Sequence, residues 1–280
     1  MAGKLKGQNR IRKFKKIAKG IASKIATYEG VTGIVFLGGL ARGFADRYSD
    51  LDIVVFLDER DEHLRRRIYD LGLNEEGRSD IDMDLEVHFL EDFKRWRWDE
   101  IDRWEFSEAK IVFDPKGKIN KAFREKSMVP KDFWIKRTAV CAEYLKWYCC
   151  PPKEEVGTIA GAWIDRGDLL ASHYCLNYAI DLLLMVIFAL NKEHLPAPKW
   201  RIFYSYRLKW LPEGYEGLIK EAMEVRNFSV RDFSRRLKAM RKMWHEILPK
   251  IEDQTGLTMD RLSKYYVEEI LHQSWIPRKT

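Results

Sequence analysis

The chain has 280 residues, of which 46% are hydrophobic and 13% aromatic, and its formal net charge is +7. A sequence of this size and composition can bury one large core or two ordinary ones, which excludes a disordered or fibrous protein. The longest apolar run, 182–190, is shorter than the roughly 20 residues of a membrane-spanning helix, and the basic N-terminus lacks the apolar segment of a secretory leader. These features predict a cytoplasmic protein without a membrane contact.

The positive charge is concentrated at the N-terminus. Residues 1–16 contain seven Lys and Arg and no acid, whereas the rest of the chain carries 43 basic and 43 acidic residues. Apolar residues recur at helical spacing from Ile11 to Ile25, which predicts a basic amphipathic helix within residues 1–28 that docks on the first domain. A solvated basic face is the favoured interpretation of this segment, and binding of a polyanion such as nucleic acid is the alternative.

The following segments change from a mixed strand and helix pattern to a helical one. Strands are predicted at 30–39, 49–57 and 80–90, the last with one apolar and one charged face, and the segment "AKIVFD" before the turn "PKG" predicts a fourth strand. Beyond about residue 125, helices are predicted at 132–148, 157–190, 217–226, 229–250 and 256–272. We therefore expect an α+β fold, with a sheet domain over 1–125 and an all-helical domain over 126–280.

Four cysteines lie among apolar and aromatic neighbours and form no Cys-x-x-Cys motif; they are Cys141, Cys149, Cys150 and Cys175. Buried, reduced thiols are expected rather than a metal site or a disulfide.

The segment "FLGGLARGFADRYSDLDIVVFL" joins a Gly-Gly turn to two closely spaced carboxylates, Asp50 and Asp52. A strand that ends in Gly38 and Gly39 before a short helix presents backbone N–H groups that favour an anion, although the spacing fits neither G-x-G-x-x-G nor Gly-Lys-Ser/Thr. Asp50 and Asp52 project from the same face of one strand, and such a pair in an apolar strand favours a bound cation such as Mg²⁺. With a third acid from the later charged strand, the pattern predicts a two-metal site for phosphoryl or nucleotidyl transfer.

The stretch "GGLARGFADRYSDLD" resembles the signature of the nucleotidyltransferase superfamily that includes DNA polymerase beta. Gly38 matches its first glycine, the segment 41–43 matches its Ala-Arg-Gly, and 49–52 matches its Ser-Asp-x-Asp, while Gly39 stands where a serine is usual. The segments "AKIVFDPKG" and "IFALNKEHLPAPKW" resemble the last strand and the helical substrate-binding domain of aminoglycoside-type members.

This resemblance implies a polymerase-beta-like catalytic domain with a mixed sheet, followed by a helical substrate-binding domain. It also implies an enzyme that moves a nucleoside monophosphate from an NTP, with ATP the expected donor, to a hydroxyl of a small-molecule acceptor and releases pyrophosphate. Protein nucleotidylation (AMPylation) and nucleotide addition to RNA are the alternatives. The implied cofactor is Mg²⁺ at a two-metal site, with Mn²⁺ as a substitute, and the sequence identifies neither the acceptor nor the oligomeric state.

The resemblance also assigns roles to individual residues. The catalytic metal ligands would be Asp50, Asp52 and Glu86, with Asp84 as the alternative to Glu86. The nucleotide-binding residues would be Gly38, Gly39, Arg42, Ser49 and Lys199. A surface salt bridge is an equal interpretation of Arg42, and an ordinary helix-start lysine is the alternative for Lys199.

A polar stripe on one predicted helix is the candidate acceptor site, and its members are Tyr174, Asn177 and Asp181. Their spacing of three and then four residues places them on one helix face. Hydrogen bonding across helices is an equal interpretation of this stripe. His88 and His173 are interpreted as structural.

Overall fold

The computed structural model describes residues 5–151 and 157–271. They form two compact units, Leu5–Val129 and a second that begins at Pro130. The first unit is a mixed sheet with flanking helices and the second is all-helical, which confirms the α+β fold class.

The first unit contains all four of the strands expected from the sequence. Its elements are α1 (Ile11–Ile25), β1 (Val31–Phe36), α2 (Gly38–Arg42), β2 (Leu51–Leu57), α3 (Glu62–Ser79), β3 (Met83–Phe89), α4 (Leu90–Arg95), α5 (Glu100–Ser107), β4 (Lys110–Phe113) and α6 (Lys118–Ser127). Helix α5 begins with a reciprocal capping box in which the Asp99 and Asp102 side chains each accept a hydrogen bond from the other residue's backbone N–H. This short helix and its neighbours α4 and α6 were not among the sequence predictions.

The sheet has the strand order β3-β2-β1-β4. Strand β1 is antiparallel to both β2 and β4, whereas β2 and β3 are parallel. Helix α3 forms the crossover between the parallel pair, since parallel neighbours need a long connection. The parallel register pairs Asp52 with Asp84 and Val54 with Glu86.

Each face of the sheet packs on a separate core. One face carries Ile53 and Val55 of β2 and packs on α1 and α3, with Phe14 and Ile21 of α1 buried against it. The opposite face carries Val54 and packs on an aromatic cluster from α4–α6. Because side chains alternate along a strand, Asp52 lies on this second face, at the beginning of β2.

The described residues of the second unit form helices and no strand. Its elements are α7 (Phe133–Tyr148), α8 (Ile159–Asp165), α9 (Leu169–Leu190), a 3₁₀ turn (Pro198–Trp200), α10 (Arg201–Ser205), α11 (Tyr215–Met223), α12 (Val230–Thr255), α13 (Met259–Tyr265) and a final π-helical turn (Tyr266–Leu271). The single helix predicted over 157–190 is two helices, because Gly167 adopts a left-handed φ of 81° and the Asp168 side chain then caps α9. Residue 272 of the last predicted helix lies outside the described residues.

Helix α9 is the centre of the helical core. Its 22 residues have a mean hydropathy of 1.7 over the most apolar window, long and apolar enough to cross a membrane, and 72% of that window is buried inside the structure. The apolar run 182–190 is therefore only the end of a longer apolar helix, and core helices of globular proteins also have these properties. All four cysteines are buried, and none of them forms a disulfide within the described residues, as predicted.

Candidate active site

The turn after β1 and the start of β2 are in direct contact. Gly38 has a φ of 48°, and a Cβ atom built on it would lie 1.7 Å from Oδ2 of Asp52. The backbone N–H of Leu37 donates to the Asp52 carbonyl at 3.1 Å. The Asp52 carboxylate is therefore packed on the backbone of the turn, where only a glycine leaves room for it.

The same turn presents backbone donors. The first intrahelical bond of α2 runs from the Ala41 N–H to the Leu37 carbonyl at 3.0 Å, so the amides of Gly38, Gly39 and Leu40 precede the first intrahelical donor. A Cβ atom on Gly39 would lie 2.6 Å from the Phe44 carbonyl oxygen. The glycine that replaces the expected serine is thus matched to a turn too tight for a side chain.

Acidic side chains surround Asp52. Its pKa is raised to about 7, first by burial and then by the charges of Asp50, Glu105 and Asp84, while Arg42 acts in the opposite direction. The pKa of Asp84 is also raised, first by burial and then by Glu86 and Asp50. Several carboxylates therefore lie close enough to repel one another.

Asp84 and Glu86, the two candidates for the third carboxylate, differ in their position relative to Asp52. It lies beside Asp52 in the parallel register, whereas Glu86 lies beside Val54, two residues further along the strand. This step displaces Glu86 by about 6–7 Å along the sheet. The Glu86 carboxylate is instead 2.7 Å from Nε2 of His88, and this hydrogen bond lowers its pKa. The register favours Asp84 as the partner of Asp52.

Helix α5 adds two residues that the sequence analysis did not identify. The Arg42 guanidinium lies over the Trp104 ring, 5.3 Å from its centroid, and Trp104 is buried. The adjacent Glu105 contributes to the raised pKa of Asp52. The capping box at Asp99 could have predicted the helix, but no motif marks these two positions as part of a site.

Ser49 belongs to a local turn. Its hydroxyl accepts from the Asp46 N–H at 3.0 Å and donates to the Asp46 carboxylate at 3.2 Å. The Tyr48 N–H donates to the same carboxylate at 2.9 Å. The serine thus stabilises the loop that leads into Asp50.

The stripe predicted in the helical unit lies on α9 and joins neighbouring helices. Tyr174 is 75% exposed. Asn177 accepts a hydrogen bond from the fully buried Arg236 of α12, and Asp181 forms an ion pair with Arg201 of α10 at 3.1 Å. Two of its three members therefore have a role in helix packing.

Lys199 and His173 of the helical unit differ in their surroundings. Lys199 is exposed on the 3₁₀ turn. His173 is buried, and its Nδ1 accepts from Arg236 at 2.6 Å, since an arginine can only donate. This contact agrees with the structural interpretation of His173.

The carboxylates fit a divalent cation by their chemistry. Among residues 5–151 and 157–271, no group of three or more His, Cys, Asp and Glu side chains is arranged to hold a metal ion. Asp50, Asp52 and Asp84 nevertheless supply the oxygen donors that Mg²⁺ prefers, and their mutual repulsion is one that a cation would relieve. The fit thus depends on donor chemistry and not on a formed coordination shell.

Two family models match parts of the chain. A family model described as a nucleotidyltransferase domain matches residues 14–128. A second, described as a domain of unknown function (DUF4037), matches residues 100–201. No curated protein sequence matches the chain.

A comparison with solved structures finds matches at low identity. A nucleotidyltransferase-like protein from Exiguobacterium sibiricum 255-15 is 12% identical with a TM-score of 0.43, and the match covers 92% of this chain and 80% of that one. A toxin–antitoxin structure with AMP-PNP is 16% identical with a TM-score of 0.31, over 48% of this chain and 97% of that one. A mutant of the toxin–antitoxin MntA-HpeT is 15% identical with the same TM-score and coverage.

Proposed function

We propose that the chain, whose residues 14–128 match a nucleotidyltransferase domain model, moves a nucleoside monophosphate from an NTP, with ATP the expected donor, to a hydroxyl of a small-molecule acceptor. The second product is pyrophosphate. The observation that carries the proposal is the contact of the Asp52 carboxylate with Gly38 of the turn, beside Asp84 in the sheet.

The residues of the turn suit the phosphate groups of the nucleotide. The amides of Gly38 and Gly39 are unused by α2 and can donate to phosphate oxygens. Arg42 supplies a positive charge near Asp52, and the Trp104 ring beneath its guanidinium limits where that charge can move. These groups orient the triphosphate, which is the main contribution a protein makes to such a transfer.

Asp50, Asp52 and Asp84 are the proposed Mg²⁺ ligands, and Mn²⁺ could replace Mg²⁺ with the same oxygen donors. Bound Mg²⁺ would neutralise phosphate charge and polarise the reacting phosphoryl group. Glu86, held by His88, is then the neighbour of the metal ligands and not one of them.

The helical unit is proposed to bind the acceptor. Tyr174 and Lys199 are its exposed candidates, while Asn177 and Asp181 already bind arginines of neighbouring helices. The variant Asp181→Asn separates the two roles: a lowered melting temperature with an unchanged acceptor KM would assign Asp181 to helix packing alone.

The direct test is incubation of the protein with Mg²⁺, a small-molecule cell extract and each α-labelled NTP. Label is followed into small-molecule, protein and RNA fractions, and pyrophosphate release is measured in parallel. We expect label in the small-molecule fraction. Label in protein or RNA would support nucleotidyl transfer but contradict a small-molecule acceptor.

Matched variants connect the transfer to the site. The transfer rate should fall more than about 100-fold in each of three variants, Asp50→Asn, Asp52→Asn and Asp84→Asn. Such a loss exceeds the loss typical of residues that support a metal ligand without binding the metal. Asp58→Asn is the control, because Asp58 follows the other end of β2 and binds Lys118. Equal losses in the control and the site variants would contradict the assignment.

A further inference from the structure

Helix α1 carries a strongly basic face that the nucleotidyl transfer site does not use. Its exposed cations are Arg12, Lys13, Lys16, Lys19 and Lys24. At 100° per residue they fall within an arc of about 140°, and at 1.5 Å per residue they extend over about 18 Å. We call these five residues the basic face.

The charge of the basic face is not balanced by nearby acids. Helix α1 contains no acidic residue. Within the described ranges, no carboxylate lies at ion-pair distance from any of the five cations, and the bond from Lys13 to the Ser79 carbonyl, at 3.5 Å, involves a neutral acceptor. Glu75 is the acid that lines the shallow groove beside Lys13 and Lys16. The face therefore presents a net positive potential to solvent.

The surroundings of the face restrict the kind of partner. The apolar side of α1 is buried in the core of the unit, with Phe14, Ile21 and Ile25 at most 3% exposed, so α1 cannot insert that side into a lipid surface. None of the large hydrophobic side chains exposed in the described residues belongs to α1. A protein interface normally has an apolar centre and few lysines, which this face does not offer.

We propose that the basic face binds the phosphate backbone of a nucleic acid, without recognising its bases. Lysine and arginine side chains spaced along a rigid helix can each replace a counterion of the backbone. The face is held in place because the Asn9 side chain accepts from the N–H of Ile11 at 3.0 Å and from the N–H of Ala45 at 3.3 Å. The proposal stands apart from the transfer reaction, and its test measures binding alone.

The experiment measures anisotropy of a labelled 20-nucleotide oligo-U and of a labelled 20-base-pair DNA duplex from 50 to 300 mM KCl. For up to five phosphate contacts, log Kobs against log [KCl] should have a slope of about −3.5 for the single strand and about −4.5 for the duplex. The variant Lys16→Glu/Lys19→Glu should flatten the single-strand slope to about −2 and weaken binding about 50-fold at 50 mM KCl. The variant Lys16→Gln/Lys19→Gln should give the same slope. Because it removes the two charges without introducing acids, agreement between the two variants excludes a folding defect caused by charge reversal.

The matched control is Lys238→Glu/Lys242→Glu on α12, which changes the net charge by the same amount at two exposed lysines one turn apart. It should bind within about twofold of the wild-type protein. An equal loss in this control would reduce the effect to net charge and overturn the proposal. A wild-type slope shallower than −1, or equally tight binding of polyglutamate or phosphatidylserine vesicles, would also overturn it.

Discussion

The Asp52→Asn substitution should stabilise the metal-free first unit at high pH. The Asp52 carboxyl has its pKa raised from 3.8 to about 7 by burial and by neighbouring carboxylates. The folded state therefore binds its proton more tightly than the unfolded state, and stability falls as pH rises from about 4 to 7. Asparagine has nearly the same shape and cannot ionise, so it removes this loss.

The size of the effect follows from the shift. The rise of the Asp52 pKa from 3.8 to about 7 corresponds to at most about 4 kcal/mol, and partial solvent access to the side chain reduces the expected value to about 2 kcal/mol. For a chain of this size, that is a rise in Tm of about 4–8 °C at pH 8. Near pH 4 the two proteins should melt within about 1 °C of each other, since the carboxyl is then protonated in the folded state.

Calorimetry in EDTA at pH 4, 6 and 8 tests the prediction. Asp58→Asn is the matched control: its hydrogen bond from Lys118, at 2.5 Å, holds the pKa of Asp58 below its usual value. The control should therefore melt at a lower temperature than wild type at pH 8, and the difference should be smaller at pH 4. Because Asp58 also lies in the first unit, the transition that shifts in this control is the transition of that unit. A lower Tm for Asp52→Asn at pH 8, or a gain that is independent of pH, would refute the reasoning.

Three further outcomes are expected. Gly38→Ala should lower the free energy of unfolding by about 3 kcal/mol or more and abolish transfer, because the new Cβ would overlap the Asp52 carboxylate. Its control is Gly43→Ala, at a φ of 83° with open space around the Cβ, which should cost only about 1–2 kcal/mol. Urea unfolding measures both variants. Asp84→Asn should reduce kcat far more than Glu86→Gln; the reverse order in a transfer assay would return the metal-ligand role to Glu86. Because burial and a neighbouring arginine lower the pKa of His173, the free energy of unfolding of the helical unit should fall as pH drops below about 6.5, and His173→Gln should lose part of that dependence. An identical drop for this unit in both proteins would show that His173 is not its source.

The sequence predicts the parts of the site that are local. The strands on either side of the turn, the glycine contact and the Asp50/Asp52 pair lie within residues 31–57, where alternation and turn chemistry determine the structure. The choice between Asp84 and Glu86 could not be predicted, because it depends on the register of two parallel strands separated by α3. A shift of two residues in that register would keep every buried side chain on its face.

Long-range contacts account for the other differences. Trp104 and Glu105 approach the site only because α5 packs on the face of the sheet that carries Asp52. Asn177 has the sequence pattern of an exposed binding residue, yet its partner Arg236 lies 59 residues away on another helix. An arginine in an amphipathic helix pattern usually reaches solvent, and this one is fully buried, so no local signal marks the pair.

The turn of the site depends on a residue outside the signature. The Asn9 side chain donates to the Gly43 carbonyl at 3.3 Å and accepts from the Ala45 N–H at 3.3 Å, just beyond α2. It also accepts from the Ile11 N–H, so one side chain joins the beginning of α1 to the end of the glycine turn. Gly43 is in the left-handed conformation that ends α2, and its carbonyl direction fixes the path of the chain toward Asp50. The position of the aspartates relative to the turn therefore depends on the docking of α1 as well as on the strands that carry them.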